Sequence, residues 1–129
     1  MILEKWASRT VPDFMIIGAQ KCGTTSLYQW LTIHPDVVSA RQKELHFFDR
    51  HDAPAPIDGY ADGFANPRSL QLRELRRGRP VVTGEATPVY LFDPRVPEQV
   101  AAHLPAVRLI VILRDPAARA LSHFRMSTA

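Results

Sequence analysis

One cysteine, Cys22, stands in a chain of 129 residues. A lone thiol closes no internal disulfide, which excludes a disulfide-stapled scaffold and suits a reducing cytoplasm, the expected location. Long apolar runs are missing as well. The longest purely aliphatic stretch is "LIVIL", residues 109–113, far short of the roughly 20 residues that cross a bilayer. The opening "MILEKWASR" carries an acid at position 4 and no apolar core, so no secretory signal is expected there. Internal repeats and low-complexity tracts are absent. Lysine is scarce: of 16 basic residues only Lys5, Lys21 and Lys43 are lysines, and the rest are arginines. A formal net charge of +3 demands no nucleic-acid partner. Arginine's planar fork nevertheless suits phosphate and carboxylate oxygens. The densest basic run, "RELRRGR" at 73–79, reads as the solvated end of a helix. No cluster of His, Cys and acidic residues has metal-ligand spacing, so no metal is expected.

What the chain does contain is ordinary for a globular protein, with 46% hydrophobic and 22% charged residues. Its length suits one domain, spanning 1–129. "FMIIGA" (14–19) reads as a buried strand feeding a glycine turn. A helix follows from Thr24 or Thr25 to about His34, with Leu27, Trp30 and Leu31 spaced to form its apolar face. "DVVSA" (36–40) is a possible second strand, and "LHFFD" (45–49) an extended or turning segment. Residues 50–66 are rich in Pro, Gly and Asp and read as a surface loop. Asn66-Pro67 starts a helix that Gly78 stops. Strands are expected at 80–85 and 107–113, and helices after Asp93-Pro94 and Asp115-Pro116. Strands alternating with helices predict an α/β fold, a three-layer α/β/α sandwich around a parallel sheet. The chain ends at Ala129 just after that last helix, with no stop signal, so it is expected to be the first half of a larger domain or a fold cut short at its C-terminus.

The stretch "GAQKCGTTS", residues 18–26, approaches the nucleotide-binding loop G-x-x-x-x-G-K-[ST]. Gly18 and Gly23 keep the glycine spacing and Thr25 keeps the hydroxyl, but Thr24 stands where the lysine belongs. The nearby lysine, Lys21, lies inside the loop. A strand, a glycine turn and a helix start leave backbone N–H groups converging on an anion. Gly18 and Gly23 would let the main chain wrap tetrahedral oxygens, with hydroxyls from Thr24, Thr25 and Ser26. Downstream, Arg114 follows the most hydrophobic strand, where open α/β sheets bind ligands, and Ser122 lies on the next helix. One anion can bridge the two. The plain alternatives are a strand–helix connection with a threonine cap, and Arg114 paired with Asp115.

The loop and its helix, together with "KELHFFDR" (43–50), "GEATPVYL" (84–91) and "LIVILRDPAARALSHF" (109–124), resemble the sulfotransferases that use 3′-phosphoadenosine 5′-phosphosulfate (PAPS). The likeness is to the branch containing heparan sulfate sulfotransferases and their bacterial relatives. It runs from about Pro12 to the last residue, with the motifs in the family's order. The resemblance implies a P-loop-like fold and sulfuryl transfer from PAPS to a hydroxyl or amine, leaving adenosine 3′,5′-bisphosphate. It implies that Gly18, Gln20, Lys21, Cys22, Gly23, Thr24, Thr25 and Ser26 hold the 5′-phosphosulfate, and Arg114 and Ser122 the 3′-phosphate. Lys21 would stabilise charge on the departing phosphate, a transition-state effect. Glu44 matches the family's catalytic glutamate, a general base for the acceptor. His46, two residues on, projects to the same side if the segment is extended, and either orients the acceptor or shares the proton transfer.

Ala86 departs from the lysine that many heparan sulfate enzymes carry after the glutamate of "GEATP". This removes a second cation and argues against a heparan-like acceptor. Glu85 itself either orients a neighbour or ends a strand, the second reading being preferred. Cys22 reads as loop filler. The acceptor, whether carbohydrate, lipid, small metabolite or protein side chain, is not readable. Two other readings stay open: a small P-loop kinase using ATP and magnesium, and a truncated remnant without catalysis.

Overall fold

A computed structural model describes residues 10–50 and 56–129. The opening segment "MILEKWASR" and part of the expected 50–66 loop lie outside the described residues. β1 (Phe14–Gly18) is followed by α1 (Thr24–Ile33), β2 (Val37–Ser39), α2 (Ile57–Ala61), α3 (Pro67–Arg77) and β3 (Val82–Ala86). A 3-10 turn (Pro88–Phe92), α4 (Val96–His103), β4 (Arg108–Val111) and α5 (Pro116–Ser127) complete it. The four strands form one parallel sheet in the order β2-β3-β1-β4. The expected α/β architecture is therefore present.

Strand alternation distributes β1 between two cores. Phe14 and Ile16 face α1, packing with Ala86, Leu27, Tyr28 and Leu31. Met15 faces the other side, with Phe48, Tyr60, Phe64, Tyr90, Val96, Val100 and Leu104. Helix starts follow the sequence signals. Asn66 accepts from the Ser69 N–H at 2.8 Å and Asp115 from the Ala118 N–H at 2.9 Å, each ahead of a proline in the first turn. Gly78 closes α3 in the left-handed region at φ 66°.

Several expectations change. Part of the 50–66 loop is helical, because Tyr60 is drawn into the aromatic core and organises α2 around it. Trp30 does not join the apolar face of α1; it is 71% exposed, while Leu27 and Leu31 make the contact. The strand at 107–113 shortens to Arg108–Val111 and lies at the sheet edge. The basic run is more than solvated surface. Arg73 donates to the Pro35 carbonyl at 2.8 Å, and Arg77 and Arg79 pair with Asp36, so α3 is tied to the turn before β2. No helix among the described residues is long and apolar enough to cross a membrane.

Candidate functional site

The chain leaves β1 at Gly18 and turns into α1 at Thr24. The base of this turn is stitched to the end of β4: the Ala19 N–H donates to Ile112 O, and the Ile112 N–H to Gly18 O, both at 2.9 Å. Lys21 and Gly23 both adopt left-handed backbone, at φ 62° and 90°. For Lys21 this costs roughly 1–3 kcal/mol, a strain that tends to collect where function needs it. Gly23 is the residue before α1 and offers no side chain as a cap. Helix-terminal N–H groups without a cap, at the positive end of the dipole, favour an anion. The plain alternative of a threonine cap does not hold, since Gly23 occupies that position. A Cβ at Gly23 would meet nothing within 4 Å, so backbone conformation alone asks for glycine there. Gly18 answers a different need. A Cβ there would lie 2.7 Å from Leu91 Cβ, so close packing on the 3-10 turn accounts for it without invoking an anion. Cys22 is buried, its thiol facing Gln20 O at 3.6 Å, as a filler would be.

Arg114 reaches this loop from the end of the adjacent strand, β4. Its Nη1 donates to the Lys21 carbonyl at 3.3 Å. Lys21, Gly23, Thr24, Thr25, Arg114 and Ser122 line a single open cavity of about 260 Å³. Gly18, Gln20, Cys22 and Ser26 are not among its lining residues. A neighbouring cleft of about 250 Å³ also touches Thr24 and Thr25, and adds Tyr28, Lys43, Glu44 and Ala86. The start of α1 is therefore the wall between the cavity holding Lys21 and the cleft holding Glu44. Ala86, where a lysine was noted as missing, lines the second cleft.

Residues 44–48 are not extended. Glu44 and His46 both take left-handed backbone, at φ 52° and 49°. They still meet, by a route that alternation does not describe: His46 Nε2 lies 3.0 Å from Glu44 Oε2. The other ring nitrogen, Nδ1, lies 2.7 Å from Asp49 Oδ2. The hydrogen bond to Asp49, with the charges of both carboxylates, raises the His46 pKa above its ordinary value against a smaller opposing effect of burial. Asp49 escaped the sequence reading; the signal was its place three residues after His46 in "HFFD". Glu85 escaped too. It is no idle strand end but a buried carboxylate accepting from Tyr60 Oη at 2.5 Å and Thr87 Oγ1 at 2.7 Å.

Residues 11–129 match the family model described as "Sulfotransferase domain". The chain belongs to the sulfotransferase domain family. It is 35% identical over 117 residues to "Membrane-associated sulfotransferase kil1" of Dictyostelium discoideum, covering 91% of this chain and 23% of that protein. It is 39% identical over 116 residues to "Heparan sulfate glucosamine 3-O-sulfotransferase 6" of Homo sapiens, covering 90% of this chain and 30% of that one. Among solved structures, a sulfotransferase from Alicyclobacillus acidocaldarius superposes with a TM-score of 0.66 at 30% identity, over 92% of this chain and 51% of its own. The sulfotransferase chain thus spans about half of that solved protein and under a third of these curated relatives. These matches do not favour the kinase reading.

Proposed function

We propose that this chain carries the donor-binding half of a sulfotransferase that moves a sulfuryl group from PAPS to a hydroxyl or amine of its acceptor. One observation carries the reading. Lys21 and Arg114, 93 positions apart in sequence, border the same cavity and are joined by a hydrogen bond. A ligand with anionic groups at both ends, such as a nucleotide with 5′ and 3′ phosphates, suits that arrangement. The unpaired N–H groups of the α1 start and the ammonium of Lys21 grip the 5′ end. Arg114 and Ser122 hold the 3′-phosphate. Lys21 then stabilises the charge that develops on the departing phosphate. Glu44, across the α1 start, takes the acceptor's proton, with His46 orienting it. The names of the relatives support a carbohydrate acceptor. Ala86 removes one cation from the acceptor cleft relative to the heparan sulfate branch, so a less acidic sugar fits it better.

Thermal unfolding of the full 129-residue chain tests the nucleotide assignment. Adenosine 3′,5′-bisphosphate is expected to raise Tm by several degrees at saturation, and ADP far less, because a ligand that binds only the native state stabilises it. Arg114→Ala should abolish the difference between the two nucleotides. Equal shifts with ADP and the bisphosphate in the unaltered chain would overturn the 3′-phosphate role.

A further inference from the structure

Three features in and around residues 44–48 converge on one buried carboxylate. First, Glu44 and His46 hold left-handed backbone on either side of Leu45, although neither is glycine. Such backbone persists only where surroundings over-determine it. Second, the Phe47 and Phe48 N–H groups of this segment are tied inward to Tyr90 rather than to solvent. The Phe47 N–H donates to Tyr90 Oη at 3.0 Å, and the Leu45 N–H lies near the Glu85 carboxylate and favours its charged form. The Tyr90 hydroxyl also lies near Glu85 and favours its charged form. Third, Glu85 sits among tethers from separate elements, with Tyr60 of α2 and Thr87 donating to it. Both Glu85 and Tyr90 are almost fully buried. The rings of Phe48, Tyr60 and Tyr90 close around them at centroid separations of 4.9 and 5.8 Å.

We propose that Glu85 and Tyr90 are positioning residues for the Glu44–His46–Asp49 group, fixing through the Leu45 and Phe47 N–H groups the two left-handed turns that bring it together. The functional weight of that group rests on the proposed sulfuryl transfer; the geometric claim does not. Burial raises the Glu85 pKa, while the donors around it favour the charged form. A buried carboxylate held by two hydroxyl donors, with the Leu45 N–H and the Tyr90 hydroxyl beside it, is a rigid anchor, and removing a donor leaves a buried group unsatisfied.

The experiment compares the full chain with Tyr90→Phe, which deletes one hydroxyl, and with the isosteric Glu85→Gln. The proton titration of His46, followed by the NMR shift of its Cε1–H, is expected to move at least half a pH unit downward in either variant. A generic loss of stability would not shift that midpoint in the folded protein. Binding of adenosine 3′,5′-bisphosphate should stay within about twofold, because the Lys21 cavity is built from other elements. Native-state hydrogen exchange of the unaltered chain gives a second readout that survives if a variant fails to fold. The Leu45 and Phe47 amides are expected to exchange at least a hundredfold more slowly than unprotected amides, although they lie in no helix or strand. An unchanged His46 midpoint in folded variants, or unprotected Leu45 and Phe47 amides, would overturn the proposal. Absence of bisphosphate binding in the unaltered chain would count against the sulfotransferase reading alone.

Discussion

A histidine placed between two carboxylates keeps its proton to higher pH than one in water, because the charged ring gains both partners at once. His46 stands in that position, 2.7 Å from Asp49 and 3.0 Å from Glu44. Its folded pKa is raised, so the stabilisation from these contacts is complete below the ordinary value of 6.5 and is lost as pH rises through the folded value. Asp49→Asn removes the stronger partner. The His46 midpoint, read by NMR, should fall in that variant toward 6.5, and an unmoved midpoint would show that Asp49 is not the partner in solution. The legibility of the site follows from the same geometry. Lys21, Glu44 and Arg114 could be singled out as candidates because they stand in motifs shared with the resembling family. Asp49 and the buried partners of Glu85 could not, since they are delivered by left-handed turns and by a network that no period along the chain records.

Elements with local start and stop chemistry were read closely: α3 between Asn66 and Gly78, and α5 behind Asp115, both capped as their residues imply. Elements created by tertiary demand were not. α2 carries Gly59 and follows a proline-rich stretch, yet Tyr60 pulls it into the core; the 3-10 turn exists because Pro88–Phe92 packs Leu91 onto Gly18. At the start of α1 the two kinds of information meet. Gly23 keeps the motif spacing, and its φ of 90° is a conformation that an L side chain resists. Gly23→Ala has open space for its methyl group, so its cost comes from the backbone, about 1–2 kcal/mol. Urea denaturation should report that loss. Bisphosphate affinity should fall more than stability alone implies, since relaxing φ re-aims the N–H groups of the first turn. Stability and affinity unchanged within error would mean that glycine is dispensable there.

Across the whole molecule, the two sides of β1 are finished differently from the β4 edge. Phe14, Met15 and Ile16 are fully enclosed, as a central strand should be. The most hydrophobic run of the sequence is not: Leu109 is 54% exposed, Val111 43% and Leu113 76%. α5 has no buried residue: Leu121 and Phe124 are open to solvent, and Arg119 lies against the Phe92 ring at 5.2 Å. Soluble proteins seldom leave large side chains so grouped, and apolar area left wet contributes little to folding. This gives opposite expectations for substitution on the two regions. Leu113→Lys with Phe124→Asp should sharply lower binding of the dye ANS to the 129-residue chain while moving Tm by no more than about 2 °C, the scale of roughly 0.5 kcal/mol. Met15→Ala, in the enclosed region, should cost about 2–5 kcal/mol. If the paired surface change instead unfolded the chain, β4 and α5 would have to pack in solution against a part of the molecule they do not touch here.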